Sequence, residues 1–147
     1  DKNSQVRGCG EVTMKSIKAS MSKPLPIGAS VICADNSGAK IIKVISVKGF
    51  KSRTNRLAVA GVGDLITANV VAGKPDMVHK VIQAVIIRQK QAYTRPDGTK
   101  VKFEDNAAVV IKDPKLGMPK GTMVKGPMAK EVAIRWSAVA KIASIVL

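Results

Sequence analysis

Lys48, Lys51, Arg53 and Arg56 crowd one short stretch that holds no acid, and Asn55 stands among them. Ammonium and guanidinium groups at that density suit one kind of chemistry, the neutralisation of phosphates. Asn55 adds a polar contact for a base or ribose. A solvated charged loop is the plainer reading, but no neighbouring carboxylate offsets the charge. Residues for covalent chemistry do not assemble. His79 is the only histidine, so a histidine dyad or His-based metal site lacks a second member. Its expected place is the surface or an RNA-facing position. Glu104 and Asp105 are adjacent, and in a strand they point to opposite faces. Gly61-Val62-Gly63-Asp64 lacks the Lys and Ser/Thr of a phosphate loop and the third glycine of a dinucleotide turn. It reads as a tight turn between strands. Cys9 and Cys33 share no C-x-x-C spacing, which argues against a disulfide framework or zinc site and suits a reducing compartment. No catalytic residue, metal or cofactor is expected, and no small-molecule substrate.

The wider composition agrees. Lys and Arg number 25 against 10 Asp and Glu, a net charge of +15 over 147 residues. Small soluble domains manage with about 2 to 8 charges, so a polyanionic partner is implied, with nucleic acid favoured over membrane. Aromatic residues are only 3%, too few for a base-stacking platform. Folded RNA read through phosphates, 2′-hydroxyls and shape fits better. No uncharged run approaches the ~20 residues of a membrane helix. Lys15 and Lys18 interrupt any signal-peptide core. The chain opens on Asp1, so its true start is expected upstream.

These cations need a scaffold, and the β-branched runs supply it. Residues 1–24 read as a basic extension, either a disordered tail or an arm ordered on RNA. Residues 25–147 read as one domain. Strands are expected over Ala29–Ala34, Lys40–Lys48 and Leu65–Val71, with turns at Asp35–Gly38 and Ala72–Asp76. From Ala84 to Ile111 two apolar runs flank basic segments and a Pro96-Asp97-Gly98 turn. That is a hairpin with an apolar base and a cationic tip. Lys112–Gly121 is a Pro- and Gly-rich loop whose order is expected to come from a partner. Gly126-Pro127 is expected to start a helical segment over about 126–143, divided at Ser137, with Met128, Val132, Trp136 and Val139 on one stripe. That stripe covers an open end of the barrel or docks another protein. The sum is a mainly β chain, five or more β-branched strands joined by Gly-rich turns and then a helical tail, which suggests a small closed β-barrel.

The hairpin carries a further pattern. Ala84-Val85-Ile86-Ile87, then Asp97-Gly98, Phe103, Asn106 and Val109-Val110 resemble, in type and spacing, the signature of the universal large-subunit ribosomal protein fourteen family. Ala34–Lys40, Ala60–Asp64 and Gly126–Glu131 extend the resemblance over residues 25–147. The N-terminal extension, the longer loop before Gly61 and the run Lys102–Val109 are similar to the archaeal and eukaryotic cytosolic branch.

The resemblance implies a small five-stranded β-barrel with a projecting β-hairpin ribbon and short C-terminal helices, and a structural, non-enzymatic constituent of the cytoplasmic large ribosomal subunit, active in translation. It implies binding to large-subunit rRNA near the sarcin-ricin region and intersubunit bridges to small-subunit rRNA. Expected protein neighbours are universal protein three, a zinc-ribbon-type protein, and an anti-association factor on the C-terminal surface. By position, the RNA-binding set is Lys40, Lys48, Lys51, Arg53, Asn55, Arg56, Lys80, Arg88, Lys90, Arg95, Lys100 and Lys102. The subunit-interface set is Lys74, Pro75, Lys115, Pro119, Lys120 and Thr122. The protein-docking set is Met128, Glu131, Arg135 and Trp136. Two departures from the family pattern stand out. Val70, Val71 and Val78 are apolar where relatives often carry basic residues, which shifts bridge contacts to Lys74, Lys80 or backbone. Gln91, Ala92 and Thr94 make the ribbon less basic. A free-standing RNA-binding barrel and an enzyme acting on RNA are the alternatives.

Overall fold

The apolar runs become strands, and their alternation decides which side chains point inward. The computed structural model describes residues 16–17, 20–50 and 54–147. In chain order the elements are β1 (Leu25–Pro26), β2 (Ser30–Cys33), β3 (Ala39–Val47), β4 (Val59–Ala60), β5 (Leu65–Gly73), β6 (Val81–Arg88), β7 (Tyr93–Thr94), β8 (Lys100–Val101), β9 (Ala107–Asp113), β10 (Met118–Pro119), β11 (Val124–Met128), α1 (Lys130–Arg135), α2 (Ser137–Ala140) and β12 (Ala143–Val146).

Five strands close on themselves. β2 pairs antiparallel with β3, β3 with β5, β5 with β6 and β6 with β9. β9 then returns beside β2 as a parallel neighbour. The result is the expected mainly β fold, a closed five-stranded barrel with two short helices. Closure removes the open edges of these strands.

So narrow a barrel holds little volume per layer, and the register shows how the chain meets that limit. Ile66 faces Ala84 across β5 and β6, while Ala84 faces Val110 and Ile86 faces Ala108 across β6 and β9. Large residues sit opposite small ones, which fills the space without overlap. The interior cluster also includes Val31, Ile42, Val44 and Val70, and Cys33 packs there as a small apolar residue.

A second apolar cluster lies outside the barrel wall. Val85 and Ile87 of β6 and Val109 and Ile111 of β9 face outward, beneath Met128, Val132, Trp136 and Val139. Helices of six and four residues would not hold alone. Here they are fixed by this burial and by the Trp136 indole, whose Nε1 donates to Gly63 O at 2.9 Å.

Two expectations need correction. The helical segment begins at Lys130, because Gly126 and Pro127 belong to β11, which pairs in parallel with β12. The loop after Ile111 takes its order from this chain, with β10 paired to β9 and Lys120 N–H donating to Val110 O at 2.9 Å. The Ala84–Ile111 hairpin forms as expected, with β6 and β9 paired as its buried base in the barrel and β7 and β8 paired as the ribbon beyond it. The turn at Pro96–Gly98 forms as expected. Gly98 takes φ +86° and donates its N–H to Arg95 O. The break at Ser137 also appears.

Ile86→Ala is expected to cost about 2–5 kcal/mol through the cavity it leaves. Ile32→Ala, on the outer wall, is expected to change stability by less than about 0.5 kcal/mol. Urea unfolding of both variants checks the contrast, and equal destabilisation would mean that the barrel interior is not the core.

Candidate nucleic-acid interface

Part of the sequence's basic charge is turned inward to set up the surface. Arg88 ends β6 with its side chain buried. Its Nε and Nη2 donate to the two carboxylate oxygens of Asp105 at 2.8 and 2.9 Å. Its Nη1 donates to Lys125 O and Pro127 O at 2.9 and 2.8 Å. Gly126, between those carbonyls, has φ +82°, and a Cβ there would stand 2.6 Å from Nη1. Only glycine lets the guanidinium come so close. The structure therefore places the Arg88 side chain inside the chain rather than at the ribbon tip. It is a buried clamp of the strand end, the loop before β9 and β11. Asp105 lies in that loop, outside any strand.

Arg95 is drawn inward too. Its Nε donates to Glu131 Oε1 at 2.6 Å and its Nη2 to Leu147 O at 2.6 Å. The Tyr93 hydroxyl donates to Glu131 Oε2 at 2.9 Å. Glu131 thus fastens the ribbon to the helical tail. Burial acts to raise its pKa, but hydrogen bonds from Arg95, its own backbone and Tyr93 outweigh that and hold it below the usual value. Burial, then the bond to Glu131, pushes the Tyr93 phenol up to about 12.

These contacts place most of the docking set within this chain. Met128, Glu131 and Trp136 are buried inside this chain, because the stripe covers the barrel wall. Arg135 is partly covered, its Nη1 3.5 Å from Asp64. What the tail exposes instead is Ile134, Lys130 and Lys141. α1 is six residues long, too short for its stripe alone to tell a covered face from an outer one.

Gln89 carries no charge and was invisible in the sequence, yet it is wholly buried. Its Oε1 accepts from Val62 N–H at 3.1 Å, and its Nε2 donates to Ser22 O and Gln91 O at 3.2 and 3.0 Å. Lys23 Nζ lies 2.9 Å from Asp64. The last residues of the N-terminal extension are therefore tied to the barrel. Residues 1–15 and 18–19 lie outside the described residues. The Gly61–Asp64 segment is a tight turn, as expected, with Asp64 N–H donating to Gly61 O at 3.1 Å.

At one end of the barrel, separate loops meet. Asp35 is buried. Its Oδ2 accepts from Val110 N–H at 2.9 Å, and its Oδ1 accepts from the Ser37 hydroxyl at 2.6 Å. Burial and the adjacent Asp35 carboxylate push the Cys33 thiol up to about 12, so it stays a protonated packing group. Asn36 Nδ2 donates to Thr122 Oγ1 at 2.7 Å, and Thr122 N–H donates back to Asn36 Oδ1 at 2.9 Å. The Lys74 side chain lies over Gly38, and Lys120 Nζ approaches Met77 Sδ at 2.9 Å. The structure thus gathers Lys74, Lys120 and Thr122 round one turn. Pro75 and Lys115 are exposed on the same loops and Pro119 is half-buried.

The remaining cations face outward. Lys40, Lys48, Arg56, Lys80, Lys90, Lys100 and Lys102 are exposed, as is Asn55, and Lys43 joins them though its sequence context does not single it out. Asn55 and His79 both adopt positive φ, and His79 is exposed with its N–H bonded to Val70 O. Lys51 and Arg53 lie outside the described residues. Lys90 and Lys102 line an open groove of about 470 Å³ with Pro24, Leu25, Gln91, Ala92 and Asn106. The Lys90 N–H donates to Asn106 Oδ1 at 2.8 Å, which fixes the groove floor. Among the described residues no cluster of His, Cys, Asp and Glu could hold a metal, and no helix is long and apolar enough to cross a membrane.

A rigid barrel that turns some cations inward as clamps and the rest outward as a charged surface defines a class, the architectural basic β-barrel. Residues 25–147 match the family described as ribosomal protein L14p/L23e. The chain is 53% identical over 134 residues to the large ribosomal subunit protein uL14 of Nanoarchaeum equitans, covering 91% of this chain and 100% of that protein. It is 48% identical, with the same coverage, to the uL14 proteins of Halobacterium salinarum and Thermoplasma volcanium. The chain belongs to the ribosomal protein L14p/L23e family.

The chain has a single tyrosine, so ultraviolet titration reads Tyr93 alone. Its phenolate is expected to form near 12, against about 10 for a free tyrosine. A raised folded value means that Tyr93 favours the fold below pH 10 and loses that contribution between 10 and 12. Glu131 works in the other direction. Its lowered folded pKa adds stability above about 4.5, lost as pH falls through the folded value. Glu131→Gln should therefore flatten the acid limb of the stability curve and return Tyr93 towards 10. An unchanged Tyr93 midpoint would remove Glu131 from the clamp.

Proposed function

We propose that this chain is a structural constituent of the large ribosomal subunit, acting in translation in the cytoplasm without catalysing a reaction. Its family and the name its relatives carry support the subunit. The observation that carries the mechanism is the set of exposed cations on the loops, strand flanks and ribbon around a barrel whose strands contain no acid before Asp113. Lys40, Lys48, Arg56, Lys80, Lys90, Lys100 and Lys102, with Lys51 and Arg53, contact large-subunit rRNA phosphates and release counterions, while the barrel holds their spacing. Asn55 contacts a base or ribose. Arg88 and Arg95 act one step back, by fixing the ribbon.

The gathered loops with Lys74, Pro75, Lys115, Pro119, Lys120 and Thr122 present a second surface, to small-subunit rRNA across the interface. A protein neighbour at the tail meets Ile134, Lys130 and Lys141, with Arg135 at the margin. Universal protein three, a zinc-ribbon-type protein and an anti-association factor are the protein neighbours that go with this role.

Binding to large-subunit rRNA is expected to weaken steeply with salt. Replacing Lys51, Arg53 and Arg56 with Ala should reduce the slope of log K against log salt by about 0.7–0.9 for each phosphate no longer neutralised. Filter binding across a salt series checks this, and an affinity indifferent to salt would overturn the phosphate mechanism. Retention on large subunits through a high-salt wash separates an integral component from a transient factor.

A further inference from the structure

The groove of about 470 Å³ is assembled from three separate segments. Pro24 and Leu25 form one wall, Lys90 to Ala92 a second, and Lys102 with Asn106 a third. Each segment is tied to another. The Ser22 hydroxyl donates to Ala92 O at 3.0 Å, and the buried Gln89 amide donates to both Ser22 O and Gln91 O. Asn106 accepts the Lys90 N–H on Oδ1 and the Ile32 N–H on its backbone carbonyl. Leu25 is held in register with Ala60. The groove is therefore built by the fold before any ligand arrives. Its volume lies in the range of about 300–1,000 Å³ common to small-ligand clefts.

We propose that this groove takes one unstacked nucleotide of large-subunit rRNA, with its base inserted and its phosphates at Lys90 and Lys102. The inference rests on the ribosomal reading above and adds what is bound at this one place. Three observations carry it. Phosphates on the outside of a duplex reach exposed lysines without a cleft, whereas a splayed-out base needs one. The lining also suits a nucleotide: Pro24, Leu25 and Ala92 are apolar, Lys90 and Lys102 are cationic, and no acid is among the lining residues. One base asks for a single apolar slot, not the run of aromatics of a single-strand platform. Finally, the polar groups left over are mainly donors. Asn106 spends Oδ1 within the chain, while its Nδ2 makes no hydrogen bond among the described residues. An edge rich in carbonyl oxygen answers that amide and the two ammonium groups best, so the base is uracil or guanine.

The test uses large subunits from cells whose only copy of this chain carries a photoreactive diazirine side chain in place of Ala92. Irradiation should join it to the base of one large-subunit nucleotide, mapped by reverse-transcription arrest. Carbodiimide, which modifies uracil and guanine at the nitrogen used in Watson–Crick pairing, should find that base shielded in unmodified subunits. Asn106→Asp keeps Oδ1 for the Lys90 N–H and removes the Nδ2 donor. In subunits with this variant the reactivity of that base should rise at least about fivefold, the scale of one lost hydrogen bond. Lys102→Ala, which alters only an exposed side chain, should raise it too and guards against a folding defect in the first variant. An adduct to a base-paired nucleotide, to a polypeptide or to nothing would overturn the nucleotide site and leave the ribosomal reading intact. Equal reactivity in variant and unmodified subunits would do the same. Absence of the chain itself from the subunits would overturn both.

Discussion

The guanidinium of Arg88 stands where three parts of the molecule meet. β6 leaves the barrel at this residue, the loop before β9 re-enters beside it, and β11 passes over it. A charge taken from water must find compensation, and here a bidentate carboxylate and two backbone carbonyls provide it. The arrangement tolerates little change, since the chain must offer Asp105 in register and a residue without Cβ at Gly126. Given that clamp, the ribbon and the tail have fixed starting points.

Glu131 repeats the principle further out. It receives Arg95 and Tyr93 from the ribbon, while Arg95 also reaches Leu147 O beyond β12. The ribbon is thereby locked to the tail at both its root and its middle. Gln89 and Asp64 do the same for the segment before β1. Few charges are involved, but each is placed where separate elements converge. The outward lysines then stand on a frame whose strands and loops are tied to one another, so the barrel sets their spacing.

Much was legible from local pattern. The strand runs, the turns at Asp35–Gly38, Gly61–Asp64 and Pro96–Gly98, and the division of the helical tail at Ser137 all follow from neighbours along the chain. The loop after Ile111 was not. Its Pro and Gly content gives no internal reason to order, and the reason is Asn36, a long way off in sequence, bonded to Thr122 on both sides of its amide. The start of α1 was misplaced for a similar cause. Gly126-Pro127 resembles a helix opening in isolation, but β12 pairs beside it and the Gly126 conformation answers to Arg88.

By itself the sequence determined the chemistry available: an excess of cations, an aliphatic core and the residue types for a small barrel. Those properties are sums and short-range periodicities, and they survive without coordinates. Only the tertiary structure decided which cations face inward. Arg88 and Arg95 look no different in one dimension from Lys90 or Lys100, yet two of them hold the ribbon and two reach the solvent. Burial of a charge depends on whether carboxylates and carbonyls from distant segments converge on it, and convergence is a property of the closed barrel rather than of any stretch within it.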